Sequence, residues 1–180
     1  MMVFEFLPIE GGTFYTCDSK KDLRDIMDGL FSGNFKELPN KHIRLTQGTH
    51  RNKSIENFDF PSFHPDGLLA TLAGMKTISP FIEQCGCWTE FYSIQGPLYY
   101  FSVTKEVDIL DVNETKFIEC DGYKLGVTQY AFKPCTKYWP IFRLSNLKGH
   151  FPLVTESFIE FYNQNKLTGL RFKLVGEVES

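Results

Sequence analysis

The sequence lacks a continuous apolar segment long enough to cross a membrane. No stretch approaches the ~20 apolar residues that a transmembrane helix requires. The first residues, MMVFEFLPIEGG, have no basic head, and Glu5 interrupts their short apolar run. They therefore do not match a secretion signal. From these absences we expect a cytoplasmic protein that has no membrane partner.

An excess of positive charge is also missing. The chain has 19 Lys and Arg against 22 Asp and Glu, and its formal net charge is −3. Because general nucleic-acid binding relies on a basic surface, this balance predicts no nucleic-acid partner.

Local signatures of catalysis are absent as well. The chain contains no G-x-S-x-G, no H-E-x-x-H and no glycine-rich phosphate loop followed by Lys and Ser or Thr, which are the patterns of several hydrolases, zinc peptidases and nucleotide-binding proteins. We therefore expect a protein that is not an enzyme and that uses no cofactor.

The five cysteines leave one catalytic alternative open. An odd number without a secretion signal argues against a disulfide framework. Cys85 and Cys87 are separated by one residue, which is closer than the spacing of most structural zinc sites, and no second pair accompanies them. Buried thiols are the expected role of this pair, and no metal site is predicted. A small hydrolase that pairs Cys85 or Cys87 with a histidine remains the alternative.

Large aromatic residues are abundant. The 18 Phe, eight Tyr and two Trp are sufficient for a core built on rings, and some of them could serve as contacts for a partner. Helical and alternating patterns are interspersed, which predicts an α+β fold with mostly antiparallel sheet and a few short helices. We expect a single domain over 1–180. A possible N-terminal lobe covers 1–75, and a C-terminal region covers 78–175. No internal repeat is visible.

In the N-terminal half, alternation predicts strands at 3–7 and 14–17 and one near 42–46. Asp18 or Ser19 is the expected N-cap of a helix that presents its apolar residues at helical spacing. Further along, Leu68, Leu69 and Leu72 are predicted to share one helix face. Ser79 and Pro80 would then begin a second short helix.

In the C-terminal half, strands are predicted within 88–111, at 122–132 and at 138–144. Pro140 favours an edge position for the last of these, because proline cannot donate to a central ladder. Thr155 is the expected N-cap of a helix whose apolar face begins at Phe158. A closing strand follows at 170–175.

A local excess of negative charge lies between 106 and 121. Acidic residues outnumber the single Lys116 there, and such a segment can steer a basic partner during association. A hydrated surface without a partner is the alternative interpretation. The candidate partner-binding residues are Glu106, Asp108, Asp111, Glu114, Glu119 and Asp121.

Three segments resemble a known family. They are LYYFSVTKEVDILDVNETKF at 98–117, IFRLSN at 141–146, and FPLVTESFIEFYNQNKLTGLRFKLV at 151–175. In this order they resemble the immunity protein 11 (DUF1629-like) family of bacterial polymorphic-toxin immunity proteins. The resemblance covers roughly 78–175. Thr155 stands where these sequences often have Ser, which preserves the helix cap.

The resemblance implies a role in bacterial competition. Such a protein would bind the cognate toxin of its effector–immunity pair and neutralise it by stoichiometric occlusion of the toxin's active site. It implies no catalytic residue in this chain. An effector chaperone or adaptor of a secretion system is the alternative role, and the sequence does not predict the oligomeric state.

Overall fold

The chain forms an α+β fold, as predicted from its sequence. The computed structural model describes residues 1–9, 13–32, 42–48, 57–64, 67–120, 123–147 and 149–179. The helices in these ranges are α1 (Lys20–Ser32), α2 (Leu72–Ile82) and α3 (Glu156–Gln164). The strands are β1 (Met2–Pro8), β2 (Phe14–Cys17), β3 (Arg44–Gly48), β4 (Ser62–His64), β5 (Leu68–Ala70), β6 (Gly86–Ser93), β7 (Gly96–Val103), β8 (Glu106–Val107), β9 (Lys116–Cys120), β10 (Tyr123–Gln129), β11 (Ile141–Leu144), β12 (Leu153–Thr155) and β13 (Leu170–Glu177).

The strands are arranged in three sheets. One sheet has the order β13-β1-β12-β11-β8, a second has the order β4-β2-β3-β6-β7-β5, and β9 pairs with β10 in a two-stranded hairpin. Most neighbouring strands are antiparallel, and β8–β11, β2–β4 and β3–β6 are the parallel pairs among the described residues. The mostly antiparallel arrangement is the one expected from the alternating sequence.

Neighbouring residues of the central strands are buried in different apolar clusters. Tyr100 and Phe101 in β7 belong to separate clusters, and so do Ile141 and Phe142 in β11. Because successive side chains of a strand point to opposite faces, both large sheets are covered on both sides in this region. The first cluster, which contains Phe101 and Ile141, draws residues from both sheets and also from α2 and α3.

Two parts of the chain have the same topology. In the first, β5, α2 and β6 follow one another, and β7 lies between the two strands and antiparallel to both. In the second, β12, α3 and β13 follow one another, with β1 in the corresponding position. Each part therefore consists of parallel strands joined by a helix, with a third strand inserted. The repetition is topological and was not visible in the sequence.

The helices of these two parts pack against each other. The rings of Phe81 in α2 and Phe161 in α3 are stacked, with centroids 4.5 Å apart. Ile78 and Ile82 lie in the same buried cluster as Phe158. Helix α1 covers the other face of the six-stranded sheet, where its residues share a cluster with Phe91 and Tyr100.

Arg143 joins β11 to the C-terminal end of α1. Its side chain is only 4% exposed, and its guanidinium donates to the carbonyl oxygens of Gly29, at 3.4 Å, and Leu30. These carbonyls lie in the last turn of the helix, where intrahelical donors are missing and a cation is favourable. Burial lowers the pKa of Arg143, and the charge of Glu106 on the paired strand opposes this effect.

Several sequence-based element boundaries are confirmed. β1 and β2 occupy the predicted segments, and Ser19 caps α1 by accepting a hydrogen bond from the amide of Asp22 at 3.0 Å. α3 begins directly after Thr155, and β13 is the predicted closing strand. The hydroxyl of Thr155, however, bonds to the hydroxyl of Ser157 at 2.8 Å and makes no capping bond to an amide.

The prediction of a helix through Leu68 and Leu69 is wrong. These residues belong to β5, whose three residues are all buried. Such a strand lacks the alternation of a half-exposed strand, so its sequence resembles a helix face. The predicted helix start at Ser79 and Pro80 is also wrong, because both lie inside α2 and Thr71 caps that helix.

The edge position that Pro140 predicted for the strand at 138–144 is also wrong. β11 lies between β12 and β8. Pro140 immediately precedes the strand, so its missing amide proton does not interrupt the ladder of β11. Its carbonyl accepts a hydrogen bond from the amide of Thr155. The strand predicted near 42–46 begins two residues later, at Arg44.

Replacement of Arg143 by Met should destabilise the protein by about 2–4 kcal/mol, because two helix carbonyls lose a charged, buried donor. Urea unfolding followed by circular dichroism would measure the change. Arg44→Met is the matched control, since Arg44 is exposed in β3, and it should shift the free energy of unfolding by less than about 0.5 kcal/mol. Equal stabilities of the two variants would contradict the role assigned to Arg143.

Candidate functional site

The predicted acidic segment runs along β8, the following turn and β9. Glu106 is exposed in β8, where it is the register partner of Arg143. Asp108 is also exposed, but its Oδ1 accepts from Nζ of Lys133 at 3.3 Å and from the side-chain Nδ2 of Asn146 at 3.2 Å. Asp108 is therefore already engaged within the chain.

Asp111 has a structural role in the turn. Its Oδ1 accepts hydrogen bonds from the backbone amides of Asn113, at 3.0 Å, and Glu114, at 3.4 Å. Side chains of this type stabilise a turn by replacing a backbone acceptor. The carboxylate thus fixes the conformation that leads into β9, and it is only partly exposed.

The exposed part of the segment combines acidic and apolar side chains. Glu114 and Glu119 are exposed. Val112 is 37% exposed and Ile118 is 51% exposed, so two apolar side chains lie among the carboxylates. Asp121, the last of the predicted site residues, lies outside the described residues.

Ile118 belongs to a hairpin that is separate from the large sheets. Within the described ranges, β9 and β10 pair with each other and with no further strand. Phe117 is the inward neighbour of Ile118 and packs against the cluster that contains Phe142 and Leu153. Because successive side chains of β9 point to opposite faces, Phe117 attaches the hairpin to the core on one face. Ile118 lies on the other face, next to Gly126.

The cysteine pair does not resemble an activated nucleophile. The prediction of buried thiols is confirmed for Cys85 and wrong for Cys87, which is exposed. Desolvation raises the pKa of both thiols. A nucleophilic cysteine needs a lowered pKa. Burial also raises the pKa of Cys17, to about 12. No group of three or more potential ligands able to hold a metal ion occurs in the part of the chain that the structure describes.

A second polar cluster, which the sequence analysis missed, is built around Glu5 of β1 and its register partner Lys173 of β13. The hydroxyl of Tyr130 is 2.9 Å from Oε1 of Glu5 and 2.5 Å from Nε2 of His150. Nδ1 of His150 is 2.7 Å from the carbonyl oxygen of Phe151. Nζ of Lys173 is 3.3 Å from Oε2 of Glu5. These groups form a continuous chain of close polar contacts.

Burial shifts the titration of this cluster. It lowers the pKa of His150, against the opposing effects of the Phe151 carbonyl and the charge of Glu5. Burial also raises the pKa of Tyr130, and the nearby carboxylate of Glu5 adds to this shift. Shifted groups beside a cavity are typical of ligand-binding and catalytic sites, although ion-pair networks produce them as well.

The cluster borders a cavity of about 210 Å³, which we call the side cavity. Glu5 and His150 lie at its polar end, and its walls are otherwise mostly apolar. No local sequence motif predicts this cavity, because Glu5 and Tyr130 are 125 positions apart in the sequence. The wall residues include Phe6, Pro8, Pro61, Phe63, Phe151 and Pro152.

Comparisons with known proteins do not assign the chain to a family. No family model matches it, and no curated protein matches it either. Among the described helices, none is sufficiently long and apolar to span a membrane. The candidate sites are therefore the exposed part of the acidic segment and the side cavity.

The lowered pKa of His150 predicts a specific pH dependence of stability. Its ordinary value is 6.5, so just below this pH the unfolded chain binds a proton that the folded protein does not. The free energy of unfolding should then fall as the pH decreases through this window, by at most about 1.4 kcal/mol per pH unit, and this contribution should level off below the folded pKa.

Urea unfolding between pH 7.5 and 5 would measure this dependence. His150→Gln should reduce the slope, whereas His42→Gln, which changes an exposed histidine, should retain it. Identical slopes in both variants would show that His150 is not responsible.

Proposed function

We propose that this protein is an immunity protein that binds a cognate bacterial toxin and neutralises it by occluding its active site. The observation that carries the proposal is the exposure of Val112 and Ile118 within the acidic segment. An apolar centre with a charged rim is the usual composition of a specific protein interface. The three segments that resemble the immunity protein 11 family support the same role.

The contact surface of this proposal, which we call the acidic hairpin, consists of Val112 and Glu114 in the turn before β9 and of Ile118 and Glu119 in β9. Ile118 lies on its exposed face, and Glu119 lies at its edge because the alternation of the strand turns it to the opposite face. Its two glutamates would raise the association rate of a basic toxin by electrostatic steering. Ile118 would become buried in the complex and slow dissociation. A stable contact of this kind buries roughly 1,000 Å² or more, so the hairpin would form its centre and adjoining residues its rim.

Inhibition by occlusion requires a surface that is already ordered. Asp111 holds the turn before β9 through two amide hydrogen bonds, and Phe117 attaches the hairpin to the core. A fixed conformation lowers the entropy cost of association. These internal contacts support a preformed binding surface on the hairpin.

Ile118→Asp should weaken toxin binding by at least tenfold, because a buried carboxylate would replace an apolar contact. The toxin encoded beside this gene would be co-expressed with each variant, and cell survival and co-purification would be measured. Leu174→Asp is the matched control, since Leu174 is 56% exposed on β13. Equal loss of protection in both variants would contradict the assignment of the surface.

The charge contribution can be tested separately. Glu114→Lys with Glu119→Lys should slow association by about tenfold at low salt and by less at high salt, because salt screens steering. Stopped-flow association of the purified proteins would measure the rate. Glu83→Lys with Glu160→Lys makes the same charge change at other exposed positions and should have a much smaller effect. A similar decrease in both double variants would indicate only a net-charge effect.

An effector chaperone remains the competing role. A chaperone would depend on the secretion system that it serves, whereas an occluding inhibitor would protect a cell that lacks this system. Protection of such a cell by the wild-type protein would support the immunity role. Stable binding without protection would contradict it.

A further inference from the structure

The side cavity and the acidic hairpin share no residue. Its walls come from β1, from the segment around β4 and from the residues before β12. Pro8, Pro61 and Pro152 contribute three of the wall positions. Proline has a fixed φ and no amide donor, so these positions form a stiff wall with little capacity for hydrogen bonding.

The size of the side cavity suits a single ring. Its volume is about 210 Å³, whereas an engineered apolar cavity of about 150 Å³ in another protein binds benzene. Phe6, Phe63 and Phe151 supply aromatic surface around this space. A larger ligand would exceed the cavity, because typical drug-sized sites begin at about 300 Å³.

The polar end of the cavity has more acceptors than donors. Nδ1 of His150 faces the carbonyl of Phe151, which can only accept, so Nδ1 carries the proton and Nε2 of the neutral ring is an acceptor. The hydroxyl of Tyr130 has one proton, yet it lies between this Nε2 and the carboxylate of Glu5. One of these two contacts therefore lacks a proton.

A ligand with a hydroxyl group would bring one more donor to this end of the cavity. It could donate to the carboxylate of Glu5 beside the hydrogen bond that Tyr130 gives to Oε1. A carboxylate oxygen accepts more than one hydrogen bond, so Lys173 could keep its contact with Oε2. An acceptor-only or purely apolar ligand would bring no donor to these acceptors.

We propose that the side cavity binds an uncharged, single-ring molecule that donates one hydrogen bond through a hydroxyl group, of which phenol is the simplest example. The ring would occupy the proline and phenylalanine walls, and the hydroxyl would face Glu5. An ionic ligand is disfavoured because the mostly apolar walls cannot replace its hydration. This ligand site does not depend on the proposed immunity function.

The proposal can be tested with phenol and toluene, which have almost the same shape. A merely apolar cavity would prefer toluene, because toluene leaves water more readily. The full-length protein, labelled with 15N and 13C, would be titrated with each compound and followed by NMR. We expect phenol to bind at least tenfold more tightly, with shifts at Ser62 and Phe151. Stronger or equal binding of toluene would overturn the donor requirement.

Three variants, one of them a control, connect the binding to the cavity. Ser62→Met places a larger side chain at the wall and should abolish binding of both compounds, while Thr104→Met, at an exposed position, should leave it unchanged. Glu5→Gln supplies an amide donor to the polar end and should reduce the preference for phenol to less than threefold. Undiminished binding to folded Ser62→Met would overturn the location.

Charged and peptide-like probes define the ligand class further. Benzylamine and benzoate at pH 7 should bind at least tenfold more weakly than phenol, and tighter binding of either ion would contradict the uncharged class. 4-Methylphenol and N-acetyl-tyrosinamide distinguish the two sources of a phenolic hydroxyl. Preference for the first indicates a free small molecule, and preference for the second indicates a tyrosine side chain. Failure of phenol and of both these probes to bind would overturn the proposal.

Discussion

The apolar layer between the two large sheets is the constraint on which the remaining structure depends. It is formed from both sheets and from α2 and α3, whose partly buried rings Phe81 and Phe161 stack on each other and pack against it. Strands on either side must present alternate residues to this layer and to an outer cluster. The outer clusters in turn determine where α1 and the β9–β10 hairpin are attached.

Arg143 shows how a charged residue can belong to such an arrangement. Its neighbours Phe142 and Leu144 lie in an outer apolar cluster, while its own side chain reaches the C-terminal carbonyls of α1. The guanidinium therefore connects the five-stranded sheet to the helix that covers the six-stranded sheet. The acidic hairpin and the side cavity lie outside this connection.

Local signals predicted much of the fold correctly. Ser19 and the spacing of Leu23 and Ile26 located α1, and the segment around Phe158 located α3 and β13. Prediction was wrong at Leu68 and Leu69, because a strand buried on both faces has no alternation to distinguish it from a helix.

The residues of the candidate site were likewise predicted only in part. Charge counting found the exposed Glu106, Glu114 and Glu119, but it could not show that Asp108 is paired with Lys133 or that Asp111 fixes a turn.

The sequence by itself determined the fold class, the start of each helix with a strong amphipathic pattern, and the acidic character of one segment, because these features depend on near neighbours in the chain. Only the tertiary structure decided the repeated strand–helix–strand topology and the meeting of Glu5, Tyr130 and His150. The physical reason is that strand pairing and side-cavity formation join distant segments through packing and register. Neither leaves a periodic signal within a short window of sequence.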